Sequence, residues 1–242
     1  MHWWYPTLPV DVSSYGGEID KLFYVCLYIT GTVFILVEGA LVWFLFRYRR
    51  REGRKASYIE GSMAAEVIWT AIPAVTCVLL GLVSQPLWSK IKDPHRIPAD
   101  AIPLGVNARQ FEWHITYPGP DGQLGSDDDF EKRGELHVVV NQTYRVALTS
   151  NDVIHSFFIP VFRLKQDAVP GMTIEAWFRP TRTGEWELAC AELCGLGHYR
   201  MRARVWVHTA DEFARWQQGQ IAPPPAATAA PAEAAPMSRR GT

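Results

Sequence analysis

The chain has 242 residues, of which 48% are hydrophobic, and its formal net charge is −1 at pH 7. This length allows one sizeable domain plus a smaller unit, and a charge so close to zero predicts no nucleic-acid partner. Residues 1–21 lack the charged start, short apolar run and small-residue cleavage site of a secretory signal peptide, so we expect a retained outer segment.

Two long apolar stretches follow. Residues 22–46 contain one charged side chain, Glu38, and residues 67–88 contain none. Each stretch is long enough to cross about 30 Å of hydrocarbon as a helix, whereas a core helix of a soluble domain seldom stays apolar on every face for so long. We therefore predict a transmembrane helical hairpin over residues 22–90, embedded in a lipid bilayer.

Basic residues are concentrated between the two spans. The connecting loop carries Arg47, Arg49, Arg50, Arg51, Arg54 and Lys55. The positive-inside rule then makes this loop cytoplasmic, so both termini and everything beyond residue 90 face outward. The Ala- and Pro-rich end of the chain favours a bacterial source. We thus expect the bacterial inner membrane, with the N-terminus and the C-terminal domain on the periplasmic side.

Beyond residue 100 the pattern changes to short runs of β-branched and aromatic residues between Gly and Pro. The candidate strands are residues 103–117, 135–140, 143–150, 155–159, 173–178, 185–189 and 203–208. So many short strands predict an all-β sandwich or barrel over residues 91–220. A capping box of Thr209 and Glu212 starts a short helix that Gly219 ends. Residues 221–242 cannot bury enough apolar surface to fold and are expected to be disordered.

An acidic insert, residues 118–134, interrupts the candidate strands. Its turn residues indicate a long hairpin loop. Its four aspartates are Asp121, Asp127, Asp128 and Asp129. They could bind calcium or attract a basic cytochrome, but their spacing misses the EF-hand pattern. We assign the insert no site.

The strongest chemical signal is the run CAELCGLGHYRM, preceded by a histidine in VIHSFFIP. The candidate side-chain ligands are His155, Cys190, Cys194, His198 and Met201. Two thiolates, two imidazoles and a thioether form a soft ligand set of the kind that holds copper in electron-transfer sites. A mononuclear blue-copper site needs only one cysteine. Two thiolates could instead bridge a pair of copper ions, each capped by one histidine, with Met201 and a backbone carbonyl, that of Glu192, as weak ligands.

Two other uses of these residues are open. A structural zinc site would use two Cys and two His and would leave Met201 unexplained. A Cys190–Cys194 disulfide suits an exported domain but would explain neither histidine. All seven histidines lie outside the two spans, and no CxxCH motif is present. Any haem within the membrane or attached through that motif therefore belongs to a partner subunit.

With a membrane hairpin, an outward β-domain and a CxExCxxxHxxM loop in this order, the chain resembles subunit II of cytochrome c oxidase. Further matching segments are EVIWTAIP at 66–73, NDVIHSFFIP at 151–160 and LKQDAVPG at 164–171. The resemblance implies a cupredoxin-like barrel that binds two copper ions, as the dinuclear CuA centre, through the five side chains above and the carbonyl of Glu192. It also implies electron transfer from cytochrome c to haem in subunit I, where oxygen is reduced to water and protons are translocated.

The resemblance adds three expectations outside the copper ligands. The Glu192 carboxylate reaches a magnesium ion at the subunit I interface, although a solvated loop glutamate is the simpler alternative. Glu66 lies at the mouth of a proton path into subunit I, unless it is only an interfacial carboxylate. Where the family usually reads QWYW for the entrance of electrons, this chain has Phe111 and Trp113 as its aromatic residues; core aromatics of a strand are the alternative.

Other functions are compatible with parts of this pattern. A related quinol oxidase subunit lacks the copper ligands, and a nitrous oxide reductase needs a large propeller for which the chain has no room. A CuA subunit of a haem-copper nitric oxide reductase is harder to separate from an oxidase. A membrane-tethered copper-binding protein would use similar ligands, but it would need exposed, exchangeable ones.

Overall fold

The structure, a computed structural model, describes residues 8–221. The segment expected to be disordered, residues 221–242, lies outside the described residues apart from its first residue. Residues 1–7 of the expected outer segment lie outside them as well.

Two long helices form the N-terminal part of the described chain. Helix α1 spans Gly16–Arg47 and helix α2 spans Met63–Lys92. Both have a mean hydropathy of 2.1 in their most apolar window, and none of that window is buried within the chain. At 1.5 Å per residue, each helix is about 45 Å long and exceeds the roughly 30 Å hydrocarbon layer. The predicted pair of membrane-spanning helices is confirmed.

Within the described residues, ten strands follow the hairpin. They are β1 Ile102–Arg109, β2 Glu112–Tyr117, β3 Phe130–Arg133, β4 Glu135–Val139, β5 Tyr144–Ser150, β6 His155–Ile159, β7 Leu164–Ala168, β8 Ile174–Phe178, β9 Gly184–Cys190 and β10 Arg202–His208. They make two five-stranded sheets, with the orders β3-β2-β1-β5-β8 and β4-β10-β9-β6-β7. Alternate residues of both sheets, among them Val106, Val146, Phe157 and Val205, fill one apolar core. The predicted fold class, a two-helix hairpin with a cupredoxin-like β-sandwich, is confirmed.

Several predicted element boundaries were wrong. Residues 103–117 are two antiparallel strands, β1 and β2, that reverse at Gln110 and Phe111, where the sequence has no Gly, Pro or Asn to announce a turn. Strands β3 and β7 were missed because they lie at sheet edges and are rich in charged or polar residues. The insert is therefore not all loop, since β3 forms part of it. Helix α3, Ala210–Ile221, continues through Gly219.

Four connections meet at one end of the sandwich, which we call the metal end: β1–β2, β5–β6, β7–β8 and β9–β10. The backbone N–H of Gln110 donates to the Asp152 carboxylate at 2.7 Å and joins the first two of these connections. A bridge between Ser150 and Pro170 joins the second and third. Helix α3 packs at the opposite end, where Trp216 contacts Tyr117 with ring centroids 5.3 Å apart.

The hairpin is attached along the β7 and β8 edge of the sandwich. Lys92, the last residue of α2, donates to the Gln166 side chain at 2.8 Å. The Arg163 guanidinium is paired with Asp20 of α1, with Nε 2.6 Å from Oδ1. The hydroxyl of Tyr15 donates to the carbonyl of Trp177 at 3.0 Å. These contacts fix which side of the β-domain lies nearest to the membrane helices.

Candidate metal centre

The β-sandwich brings the predicted ligands together from two places in the sequence. His155 is the first residue of β6, and Cys190 is the last residue of β9, the neighbouring strand. The β9–β10 loop supplies the others and is closed at its base by a hydrogen bond of 3.0 Å from the Cys190 N–H to the carbonyl of Met201. The pairing of β6 with β9 therefore positions His155 beside the cysteine loop.

Four further donor atoms surround the two cysteine sulfurs, which lie 3.9 Å apart. The Cys190 sulfur is 3.9 Å from Nδ1 of His155 and 3.2 Å from the carbonyl oxygen of Glu192. The Cys194 sulfur is 3.6 Å from Nδ1 of His198 and 3.7 Å from the sulfur of Met201. Each thiol thus has one imidazole and one weak donor beside it, and the two thiols lie between these two pairs of donors.

These separations fit ligands of a common metal. Two ligands at bonds of about 2.3 Å in a tetrahedral arrangement lie about 3.7 Å from each other. Both cysteines are free, and their sulfurs are much farther apart than the roughly 2 Å of a disulfide. The thioether of Met201 among the donors favours copper over zinc, which takes N, O and thiolate ligands. The donor set therefore fits a copper site that these residues would hold.

The centre is shielded from water. His155 is 0% exposed and Met201 is 1% exposed. Burial and the neighbouring Cys190 raise the pKa of Cys194 to about 11. In the metal-free chain this thiol is therefore protonated at neutral pH, and a metal ion must displace its proton to bind.

A carboxylate that the sequence interpretation did not single out orients one ligand. Oδ1 of Asp152 lies 2.8 Å from Nε2 of His155, so that Nε2 carries the proton and Nδ1 keeps a lone pair toward Cys190. Partial burial alone would raise the pKa of Asp152. Hydrogen bonds from His155 and from backbone N–H groups outweigh this effect, so the pKa is lowered and the carboxylate stays ionised. A carboxylate three residues before a ligand histidine is the signal that could have identified it.

Gln110 ties the same carboxylate to the cysteine loop. Its backbone N–H donates to Asp152 at 2.7 Å, and its side-chain amide donates to the carbonyl of Cys194 at 2.5 Å. The ligands from β6 and from the β9–β10 loop are therefore linked through protein hydrogen bonds as well as through the site itself.

The two aromatic residues expected at the electron entrance are placed differently. Trp113 is 0% exposed and packs edge-on against His155, with ring centroids 6.2 Å apart. Phe111 is partly buried and lies directly on Gly195 and Gly197 of the ligand loop, where an added Cβ would collide with its ring. Phe111 is therefore partly exposed over the ligand loop, whereas Trp113 backs a ligand from inside the core.

The two glutamates expected to have further roles are far apart. The Glu192 carbonyl faces Cys190, and its residue is exposed on the ligand loop. Glu66 is exposed in the first turn of α2. It is 26 residues before Lys92 at the sandwich end of that helix, which at 1.5 Å per residue is about 39 Å. Glu66 therefore has no contact with the metal centre.

A β-sandwich with this soft-donor centre, anchored by two apolar helices, defines a membrane-attached copper protein of the cupredoxin-like class. The sequence profile for the transmembrane domain of cytochrome c oxidase subunit II matches residues 1–87, and the profile for its periplasmic domain matches residues 108–207. The chain belongs to the cytochrome c oxidase subunit II family, as its resemblance predicted.

Two related sequences agree with this membership. Alternative cytochrome c oxidase subunit 2 of Bradyrhizobium diazoefficiens is 32% identical over 243 residues, covering 90% of this chain and 84% of the relative. Cytochrome c oxidase subunit 2 of Thermostichus vulcanus is 32% identical over 263 residues, covering 87% and 77%. The solved periplasmic domain of subunit II (CoxB) of Bradyrhizobium japonicum is 32% identical, covers 51% of this chain and 96% of that domain, and has a TM-score of 0.46.

Proposed function

We propose that this chain is the electron-accepting subunit of a respiratory cytochrome c oxidase. It takes electrons from cytochrome c and passes them to haem in subunit I, where oxygen is reduced to water and protons are translocated. The observation that carries the proposal is the arrangement of four further donor atoms around two thiols 3.9 Å apart. The proposed ligands are His155, Cys190, the carbonyl of Glu192, Cys194, His198 and Met201.

Two copper ions held by these residues would supply a one-electron redox couple shared between them. The protein contributes rigidity and exclusion of water. Asp152 fixes the ring of His155, Gln110 holds the carbonyl of Cys194, and the core behind Trp113 leaves the ligands little room to move. A site that keeps one geometry in both oxidation states transfers electrons with little reorganisation.

The hairpin determines where this happens. We propose that the basic loop between α1 and α2 is cytoplasmic and that the N-terminus and the β-domain face the periplasm of a bacterium. The proposed parts of the chain are the outer N-terminal segment (residues 1–21), the transmembrane hairpin (22–90), the β-domain (91–220) and the C-terminal tail (221–242). In this orientation the metal end lies outside the membrane, where a cytochrome donor has access, and subunit I packs against the hairpin.

Two glutamates have proposed roles toward subunit I. The carboxylate of Glu192 is free for a hard cation because only its carbonyl faces a thiol, and magnesium at the interface with subunit I would take such an oxygen ligand. Glu66 lies at the proposed cytoplasmic end of α2, where an intramembrane or interfacial carboxylate suits the mouth of a proton path into subunit I.

Electron paramagnetic resonance with copper counting on the full chain in detergent tests the dinuclear centre. Two equivalent copper nuclei sharing one unpaired electron give about seven hyperfine lines, whereas one copper gives about four. We expect two coppers per chain and the seven-line pattern. Cys194→Ser should lower both the copper count and the intensity of that pattern. One copper and four lines in the unaltered chain would contradict the proposal. Turnover of the purified complex with oxygen and with nitric oxide then separates an oxidase from a nitric oxide reductase.

A further inference from the structure

We propose that His137 and His208 form a second metal site, which binds Cu²⁺ and related late transition-metal ions at the end of the sandwich opposite the metal end. We call it the histidine-pair site. It uses none of the ligands of the candidate metal centre and goes beyond the proposed function. Its ligands are imidazole nitrogens, which suit copper, zinc and nickel rather than hard ions such as magnesium.

Strand register brings the two imidazole rings together. Strands β4 and β10 pair in parallel, with His137 opposite Trp206 and Val139 opposite His208. Because Trp206 and His208 are two residues apart, they lie on the same face of the sheet, beside His137. Nδ1 of His137 is 2.9 Å from Nε2 of His208, and the two ring planes differ by only 6°. The two nitrogens therefore face each other across neighbouring strands.

The short contact between the rings requires a lone pair on one of them. One ring N–H donates to the bare nitrogen of the other ring, because two N–H groups would repel each other at this distance. Oε2 of Glu135 lies 3.6 Å from Nε2 of His137, and a proton on that nitrogen faces the carboxylate. The lone pair of His137 is then on Nδ1, where it accepts the proton of Nε2 of His208.

A metal ion can take the place of the shared proton. The proton leaves Nε2 of His208 and Nδ1 of the same ring takes one up, so both facing nitrogens offer lone pairs and no proton is lost overall. The Glu135 carboxylate then accepts from the other nitrogen of His137, an arrangement that supports histidine ligands in metal sites. Each ring must turn for its lone pair to meet the ion, and the half-buried His208 has solvent on one side to do so.

The spacing of the two nitrogens favours copper among these ions. Two nitrogen ligands at bonds of about 2.05 Å and an angle of about 90°, as in tetragonal Cu²⁺ sites, are about 2.9 Å apart. Tetrahedral zinc ligands would be about 3.3 Å apart. Within residues 8–221, the only group of three His, Cys, Asp or Glu ligands close enough to share an ion is at the candidate metal centre. Water therefore completes the coordination of an ion at the histidine-pair site.

The surroundings connect this site to helix α3 and separate it from the candidate metal centre. Trp216 of α3 stacks on His137 with ring centroids 4.1 Å apart, and His208 ends the strand that leads into α3. Strand β10 begins at Arg202, directly after the ligand loop, and six residue steps of about 3.3 Å place His208 about 20 Å farther along. The two sites therefore share no ligand, and an ion at the histidine pair would tie β4 to the start of α3.

Equilibrium dialysis of the copper-loaded full chain in detergent, after a chelating resin has removed weakly held copper, tests the inference. The probes are Cu²⁺, Zn²⁺ and Mg²⁺ as chlorides, and all chains carry His2→Gln because a terminal amine beside a histidine also binds Cu²⁺. We expect one additional Cu²⁺ per chain with a four-line electron paramagnetic resonance spectrum, weaker binding of Zn²⁺ and none of Mg²⁺.

Variants locate the additional ion. His208→Gln and His137→Gln should each lower its affinity more than about tenfold, because one of two protein ligands is lost. Glu135→Gln keeps both ligands and should lower the affinity about tenfold. His95→Gln, at an exposed histidine outside the sandwich, is the matched control and should leave it unchanged. His208→Gln changes the less buried ring, so it keeps the test valid where His137→Gln disturbs folding.

Each result has a defined meaning. No additional Cu²⁺ in the chain with both histidines, or an affinity that His208→Gln leaves unchanged, would overturn the site. An effect of His95→Gln as large as that of His208→Gln would overturn its location. Binding of Mg²⁺ as tight as that of Cu²⁺ would overturn the imidazole chemistry. The copper already held at the candidate metal centre should stay constant throughout, so the outcome is independent of the proposed function.

Discussion

Acidification should destabilise the β-domain through a histidine pair far from the metal centre. Nδ1 of His137 lies 2.9 Å from Nε2 of His208, and the ring of Trp216 in α3 stacks on His137 with centroids 4.1 Å apart. Burial, together with the charge that His208 would carry, lowers the pKa of His137 to about 4. Burial lowers the pKa of His208 as well. The folded protein therefore keeps this pair neutral and uses it to hold α3.

The sign and size follow from proton linkage. An unfolded histidine binds its proton below about pH 6.5, while folded His137 does so only below about 4, so the unfolded state binds more protons between these values. Stability is complete above pH 6.5 and falls as the pH falls toward 4. From pH 7.5 to pH 5 the loss from His137 alone is about 2 kcal/mol. His137 is only 6% exposed, so solvent screens its charge little.

Urea unfolding of the metal-free full chain in detergent, followed by tryptophan fluorescence at both pH values, measures this loss. His137→Gln removes the titrating group. Between pH 7.5 and pH 5, the free energy of unfolding of this variant should fall by about 2 kcal/mol less than that of the unaltered chain. His95→Gln, at an exposed histidine, is the control and should behave like the unaltered chain. Equal losses with and without His137 would refute the linkage argument.

Three further perturbations have defined outcomes. Asp152→Asn removes the carboxylate that orients His155 and should weaken copper binding about 10- to 100-fold in a chelator competition. Met201→Leu should keep both coppers but shift the reduction potential measured by redox titration, because a weak axial ligand tunes a copper site more than it holds the metal. Arg163→Ala leaves Asp20 without its partner and should lower the free energy of unfolding by about 3 kcal/mol in urea.

Matched substitutions separate these effects from general damage. Asp128→Asn, in the acidic insert, should leave copper affinity unchanged. Arg145→Ala breaks an exposed pair with Glu175 and should cost less than about 1 kcal/mol. Unchanged affinity in Asp152→Asn would contradict the orienting role, and loss of all copper in Met201→Leu would contradict the division between holding and tuning. A cost for Arg163→Ala as small as that for Arg145→Ala would contradict the anchoring role of the Asp20 pair.

The fold was predictable where a segment is apolar throughout or alternates regularly between apolar and polar residues. Unbroken apolar runs identify α1 and α2, and alternation identifies core strands such as β5 and β10. Two of the four edge strands, β3 and β7, were not predictable, because charged and polar residues dominate them; β7, for example, reads LKQDA and one of its faces is solvated. The reversal at Gln110 and Phe111 was missed for another reason: tertiary contacts with Asp152 and with the ligand loop hold it, and these act over long sequence separations.

The candidate site, like the fold, was predictable only in part. Its donors are rare residue types at short spacing in one loop, so they stand out in the sequence. The residues that support them do not stand out, because Asp152 and Gln110 are common types whose role depends on contacts across the metal end. The sequence also did not reveal which aromatic residue lies near the surface. Phe111 and Trp113 are two positions apart in the chain, yet only Phe111 lies against the outside of the ligand loop.

The connection pattern brings one histidine to each of the two thiols from a different part of the fold. His155 enters the centre from β6, the strand next to the edge that carries the hairpin, whereas His198 and the support from Phe111 come from connections farther away. The two thiols lie between these sides and are shared by both. If the proposed function holds, an electron that enters beside Phe111 would cross only the ligand loop to reach the His155 side of the centre. Loop and strand order, rather than any single ligand, set the positions of these two sides.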